Sequence, residues 1–114
     1  MYTEVRAVTK YVGMSAHKVR LIADMVRGKG VDEALNLLRF SPRAAAKEVA
    51  KTIASAAANA DANHGLGRAE LFVAEIRADE GPTMRRGRAA ARGRSMPMLR
   101  RSSHITVVLS EKTR

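Results

Sequence analysis

Two kinds of hydrophobic periodicity follow one another along the chain and predict its elements. Apolar and polar residues alternate over residues 3–12, over residues 70–80 and from residue 104 onward, which is the period of a strand with one buried face. The residues predicted on the inward faces are Val5, Ala7, Thr9 and Tyr11, then Phe72, Ala74, Ile76 and Ala78, and finally Ile105, Val107 and Leu109. The pattern thus predicts one strand early in the chain and two in its second half.

Three segments between the first and second strands have helical spacing instead. They predict helices over Ala16–Arg27, over Val31–Phe40 and from Pro42 to about Asn63. Ser15 is a predicted N-cap, and Ser41 is another, because Pro42 then takes the first helical position. The predicted inward residues are Val19, Ile22, Ala23 and Val26, then Ala34, Leu37 and Leu38, and finally Ala46, Val49, Ala50, Ile53, Ala57 and Ala60.

A segment without any apolar period separates the last two predicted strands. These strands can pair antiparallel only if the segment folds back on itself, so we expect a hairpin arm at about residues 82–103, reaching roughly 30 Å at about 3.3 Å per residue. The chain has no internal repeat. The prediction is a single α+β domain over residues 1–114, in which a three-stranded antiparallel sheet has three helices on one face and a long protruding β-hairpin.

Charge identifies the arm as the unusual part of the chain. The whole chain has 21 Lys and Arg against 11 Asp and Glu, a net charge of +10, which predicts an anionic partner, nucleic acid first and a membrane surface second. Between Gly81 and Ile105 there is no acidic residue, and seven of the ten excess charges lie there. The seven arginines are Arg85, Arg86, Arg88, Arg92, Arg94, Arg100 and Arg101.

The use of arginine without lysine in this arm favours RNA. A guanidinium group binds phosphate through two parallel hydrogen bonds and stacks on bases, and small residues between the arginines permit close approach. Folded RNA is recognised largely through its shape and phosphates, which suits such an arm. The alternative is a solvated loop with no specific contact, but a purely solubilising loop would more often contain Lys and Glu.

The first predicted helix offers a second candidate contact. Its polar positions are basic, and the Ser15 end presents free N–H groups of the kind that bind anions. The alternative is an ordinary polar helix face. The candidate residues of this helix and of the turn after it are Ser15, His17, Lys18, Arg20, Arg27 and Lys29.

Catalytic and metal chemistry find little support in the sequence. The chain lacks cysteine, and its three histidines, at positions 17, 64 and 104, do not have metal-ligand spacing. Ser102–His104 has no acidic partner close in sequence, and Asp79–Glu80 is better explained by charge balance or by the adjoining turn. We therefore expect no cofactor, no metal and no small-molecule substrate. No apolar run is long enough to span a bilayer, so we expect a cytoplasmic protein without a membrane partner.

Several segments, in order along nearly the whole chain, resemble one family. They are Met14–Asp24 with Arg27–Lys29, Ser55–Ala60, Asp79–Arg86 and Arg100–Val108. These segments are similar to the bacterial large-subunit ribosomal protein twenty-two. The resemblance implies a structural constituent of the large ribosomal subunit that stabilises ribosomal RNA during assembly. It also implies a globular part near the exit of the nascent-peptide tunnel and a hairpin that lines the tunnel, close to where macrolide antibiotics bind.

The resemblance also implies partners and site residues. The partners would be large-subunit ribosomal RNA, neighbouring ribosomal proteins and the nascent polypeptide. In addition to the residues of the first helix, RNA would contact Thr83, Arg85, Arg86, Arg88, Arg92, Gly93, Arg94, Arg100, Arg101, Ser103 and His104. The tunnel-lining tip would consist of Arg88, Ala89, Ala90, Ala91 and Arg92, and here the chain departs from the Pro-Arg-Ala run that is usual in the family.

Two other classes of protein remain as alternatives. A DNA-bending protein with a β-ribbon arm also pairs strands around a basic arm, but it usually has helices after its sheet, and the predicted helices all precede the last two strands. An RNA-modifying enzyme with a basic arm would need a cofactor pocket or a convergent set of acids and bases, which the sequence does not show.

Overall fold

A computed structural model describes residues 4–89 and 95–112, and it shows the predicted α+β class. Three helices lie against one face of a three-stranded sheet, and a separate hairpin follows. The elements are β1 (Glu4–Val12), α1 (Ala16–Val26), α2 (Val31–Arg39), α3 (Ala44–His64), a short 3-10 turn (Arg68–Glu70), β2 (Leu71–Glu80), β3 (Met84–Ala89), β4 (Ser95–Arg100) and β5 (Ser103–Glu111).

The last strand, β5, occupies the centre of the sheet. The strand order is β1-β5-β2, and both pairings are antiparallel. Because β5 has a strand on each side, Ile105, Val107 and Leu109 are fully buried on the helix face, and Thr106 and Val108 are also buried on the opposite face. Central position therefore protects both faces of β5, although only one face packs against helices.

The core is built from aliphatic side chains and many alanines. Ile22, Ile53 and Ile76 are almost completely buried, and so are Ala56 and Ala60 of α3. Small residues on α3 let its backbone lie close to the sheet, and each fully buried Ile or Val stabilises the fold by roughly 1.5–3 kcal/mol.

A pair of threonines joins α3 to the first strand. The hydroxyl Oγ1 atoms of Thr9 and Thr52 lie 2.7 Å apart. Since the Thr52 hydroxyl donates to the Glu48 carbonyl at 3.0 Å, Thr9 is the donor in the pair. The buried Thr52 hydroxyl is therefore fully used, which removes the cost of burying it.

The predicted inward faces of β1 and β2 were partly wrong, because each strand contains a β-bulge. In β1 the register shifts between Thr9 and Val12, so Tyr11 is 69% exposed with a backbone φ of 59°, and Val12 is buried in its place. In β2 it shifts between Val73 and Glu75, so Val73 and Leu71 are buried, Phe72 is only half-buried and Ala74 is exposed. A single extra residue moves every side chain beyond it to the other face, which simple alternation does not reveal.

Two predictions about α2 and α3 were also wrong. Leu37 is 39% exposed, because the short helix α2 covers the core mainly with Val31, Ala34 and Leu38. The third helix begins at Ala44 rather than at Pro42, and Arg43 is its N-cap. The Ser41 hydroxyl accepts a long 3.4 Å hydrogen bond from the Arg43 N–H, so it supports the turn before the helix and does not cap it.

The arm forms the predicted hairpin as a two-stranded sheet of its own. Strands β3 and β4 pair antiparallel from Met84 opposite Arg100 to Ala89 opposite Ser95. The radius of gyration is 17.2 Å, whereas a compact chain of this length has about 13 Å. The longest principal extent is 66 Å against 26 and 18 Å for the other two, so the hairpin protrudes from the sheet and helices.

Candidate nucleic-acid interface

A cleft of ≈ 270 Å³ lies where the beginning of α1 meets the root of the arm. Elements far apart in sequence form it, since one wall comes from residues 15–17 and the other from both legs of the arm root. Its lining residues are Ser15, Ala16, His17, Glu80, Gly81, Thr83, Arg101 and Ser102. Four predicted RNA-binding residues, Ser15, His17, Thr83 and Arg101, are thereby brought together.

The α1 wall of the cleft is suited to an anion. Ser15 is the N-cap, in extended conformation, and its side chain makes no capping hydrogen bond. The first turn contains no acidic residue. The first N–H groups of a helix have no partner within the helix, and together with the helix dipole they attract negative charge.

The other wall depends on the break between β2 and β3 at Gly81 and Pro82. The Gly81 N–H donates to the Ser102 carbonyl at 3.0 Å, and the Ser102 hydroxyl donates to the Pro82 carbonyl at 2.8 Å. Pro82 lacks an N–H and so interrupts the ladder between the main sheet and the hairpin. A Cβ on Gly81 would lie 2.6 Å from the Ser102 Oγ, so a larger residue would displace the hydroxyl that ties the two legs together.

His104 lies behind this wall, half-buried and held from the first strand. The Tyr11 N–H donates to His104 Nδ1 at 3.0 Å, and the two rings meet edge-to-face with centroids 5.1 Å apart. Nδ1 is therefore the acceptor, which leaves Nε2 as the nitrogen that carries the proton.

Two of the predicted α1 arginines hold the edge of the sheet. Arg20 Nε donates to the Ala78 carbonyl at 3.1 Å, and Arg27 donates to the Ile76 carbonyl at 2.8 Å and to the Asp24 carboxylate at 2.6 Å. Strand β2 is an edge strand, and these side chains cover carbonyls that would otherwise face solvent. Their contact with RNA stays a prediction, but in this structure both side chains stabilise the edge strand β2.

The remaining predicted residues fall into three groups. Lys18 is exposed, Lys29 lies 3.8 Å from Glu33, and Ser103 is fully buried on the helix face, so its hydroxyl is away from any surface. Arg85, Arg86, Arg88, Ala89 and Arg100 lie on the two strands of the hairpin. Ala90, Ala91, Arg92, Gly93 and Arg94 lie outside the described residues.

Sequence reasoning missed four residues of the cleft, namely Ala16, Glu80, Gly81 and Ser102. Glu80 is the one carboxylate among the lining residues. The Gly81–Pro82 pair was a visible signal for a turn, but its closeness to the beginning of α1 depends on the pairing of β2 with β5. Contacts between residues this far apart in sequence are not contained in a local pattern.

The described ranges show no arrangement that points to other chemistry. Among residues 4–89 and 95–112, no group of three or more His, Cys, Asp or Glu side chains could hold a metal ion. Across the same residues, none of the helices combines the length and apolarity needed to cross a membrane.

Comparison with known proteins gives the class first. The family model described as "Ribosomal protein L22p/L17e" matches residues 7–110 of the chain. The protein is therefore a ribosomal protein, a structural component and not an enzyme, as the sequence predicted.

Two relatives then define the particular family. The "Large ribosomal subunit protein uL22" of Thermoanaerobacter sp. (strain X514) is 53% identical over 109 residues, which cover 96% of this chain and 98% of the relative. The protein of the same description from Thermoanaerobacter pseudethanolicus has the same identity and coverage. The chain belongs to the L22p/L17e family, which makes it a structural constituent of the large subunit, located in the ribosome in the cytoplasm.

Proposed function

We propose that this chain binds and stabilises large-subunit ribosomal RNA during assembly, with its hairpin lining the nascent-peptide exit tunnel and its globular part near the tunnel exit. Residues 1–114 act as one domain for this purpose. The observation that carries the proposal is the cleft at the arm root, because it brings a helix N-terminus without a side-chain cap together with both legs at the root of the arginine-rich hairpin.

A backbone phosphate of RNA would occupy the cleft. The first N–H groups of α1 and the Ser15 hydroxyl would donate to it from one side, and the exposed Arg101 would neutralise it from the other. Glu80 works against any anion placed there, so the strength of the site depends on keeping the phosphate nearer to Ser15 and Arg101.

The hairpin would then extend the contact away from the sheet. Pairing of β3 with β4 distributes arginines over both legs, with Arg85, Arg86 and Arg88 on one and Arg100 on the other. Each phosphate that an arginine neutralises releases counterions, so affinity falls steeply with salt. At the tip, residues 88–92 would face the tunnel and the nascent polypeptide, and neighbouring ribosomal proteins would contact the globular part.

Sedimentation of cell lysate tests this proposal. The lysate is layered on a sucrose gradient at low magnesium, where the subunits separate, and fractions are probed for the chain. We expect it to migrate with the large subunit and to leave it only at high salt. Recovery solely in free fractions, or with DNA after ribonuclease treatment, would overturn the proposal.

A further inference from the structure

A second depression lies between α2 and α3. This groove of ≈ 640 Å³ has an apolar lining that includes Leu35, Leu38 and Pro42. Met14 lines the groove, while the next residue, Ser15, lines the cleft. Consecutive residues before α1 therefore line the two depressions.

The rim of the groove is strongly basic. Arg39, Arg43 and Lys47 line it, and within residues 4–89 and 95–112 none of the three makes an ion pair. The single acidic lining residue, Glu48, lies 4.0 Å from Lys51, which offsets its charge. Three cations without acidic partners on a small surface favour an anionic occupant.

An aromatic side chain next to Arg39 lies outside the groove, in a separate depression that Leu37 also lines. Phe40 is 79% exposed, the highest value among the large apolar residues of the described part of the chain. The guanidinium carbon of Arg39 lies 5.9 Å from the centre of the Phe40 ring. An unpaired nucleobase can stack on an exposed ring next to arginine. A phenylalanine ring in contact with water gains no such stabilisation, so its exposure favours a binding role.

We propose that the groove between α2 and α3 is a second RNA-binding surface, in which Arg39, Arg43 and Lys47 bind phosphates, while Phe40, just outside the groove, stacks on an unpaired base. This inference rests on the proposed RNA-binding function and deepens it. RNA is favoured over a protein partner because the rim is basic and carries an exposed aromatic ring beside it. In contrast, the outer face of the sheet has balanced charges, since Arg77 lies between Glu75 and Asp79.

Matched charge variants test the phosphate contacts. Arg39, Arg43 and Lys47 are changed together to Gln, and the control changes Arg6, Arg68 and Lys112 to Gln, three exposed cations near the end of the sheet opposite the arm. Binding to transcribed large-subunit ribosomal RNA is measured at two salt concentrations that differ fourfold. From the lower to the higher salt concentration, the affinity of the wild type should fall roughly 20- to 40-fold further than that of the groove variant, because the variant lacks three phosphate contacts.

Fluorescence tests the stacking contact. The chain contains no tryptophan, so Phe40→Trp introduces a single reporter, and Val8→Trp on the outer sheet face is its control. We expect ribosomal RNA to quench the emission of the first variant and not the second. Phe40→Leu should weaken binding on the order of tenfold without changing the salt dependence.

The outcomes separate this inference from the proposed function. If the wild type binds the RNA but the groove variant keeps the salt dependence of the wild type, the groove is not an RNA surface and the cleft proposal stands. If the emission of the Phe40→Trp variant changes only after another ribosomal protein is added, a protein occupies the groove and the inference is overturned. If the wild type does not bind ribosomal RNA at all, the proposed function itself fails.

Discussion

The arginines of α1 and those of the arm belong to the same residue type but have different surroundings. Arg20 and Arg27 donate to backbone carbonyls of β2, and Arg27 also pairs with Asp24. The arm has seven arginines and no carboxylate between Gly81 and Ile105. Basic residues on a ribosomal protein therefore need not form one population: Arg20 and Arg27 stabilise the fold, whereas the sequence around the arm arginines offers them no acidic partner.

The largest expected effect comes from the arm. Changing Arg85, Arg86, Arg92 and Arg94 together to Ala should lower affinity for ribosomal RNA by about two orders of magnitude or more, because four charge-assisted contacts disappear. Incorporation into large-subunit particles, measured by sedimentation, should fall accordingly. Thermal unfolding of the free protein should not change, since the hydrophobic core is formed by residues of the three helices and the three-stranded sheet.

Replacing the same four arginines by lysine separates the effect of charge from that of guanidinium geometry. Four lysines keep the charge but lose the two-pronged guanidinium geometry, so we expect an intermediate loss of affinity with the salt dependence retained. Full incorporation of the alanine variant would mean that the globular part alone carries binding.

Arg20 of α1 and Arg27, the C-cap of the same helix, should contribute to stability more than to RNA binding. Arg20→Met and Arg27→Met keep most of the apolar stem and remove the hydrogen bonds to β2. Each should lower the free energy of unfolding by about 1 kcal/mol, a discounted value because the Arg27 side chain is 47% exposed. Urea denaturation measures this loss, and Lys18→Met, at an exposed position of the same helix, is the control.

RNA binding decides between the two roles of these arginines. If Arg20→Met and Arg27→Met leave stability unchanged and reduce RNA affinity as strongly as the arm variant does, the division between structural and available arginines is wrong.

The smallest effect should come from the one carboxylate in the cleft. Glu80→Gln should raise affinity for ribosomal RNA roughly two- to fivefold at low salt, because it removes repulsion of a nearby phosphate, and high salt should abolish the gain. Filter binding measures the change. Glu75→Gln, on the outer face of β2, should have no such effect, and an equal gain from both variants would argue against a phosphate in the cleft.

Local sequence patterns predicted much of this fold. The period of α1 identified Val19, Ile22, Ala23 and Val26 correctly, because each helical turn carries its own signal. The acid-free arm between two alternating segments was enough to predict a hairpin. These features depend on neighbours in sequence, which is why they could be recovered.

The errors came from long-range pairing. Nothing near Tyr11 or Ala74 in sequence shows that β5 has one residue fewer than each of its partners at those points. Likewise, the positions of Arg20 and Arg27 on a helix gave no sign that the carbonyls of Ala78 and Ile76 lie within reach. The cleft itself was missed for the same reason, although four of its lining residues had been predicted individually.

The bulge in β2 has a consequence for how this chain tolerates deletions. Ala74 is the extra residue, since Val73 pairs with Leu109 and Glu75 with Val108. Removing Ala74 leaves the regular order Val73, Glu75, Ile76 against the same partners, with the buried and exposed faces unchanged. Deleting Val73 instead would remove a buried side chain, so thermal unfolding should show a far smaller loss for the first deletion. A length difference at this point is therefore one that related sequences can accumulate without changing the fold.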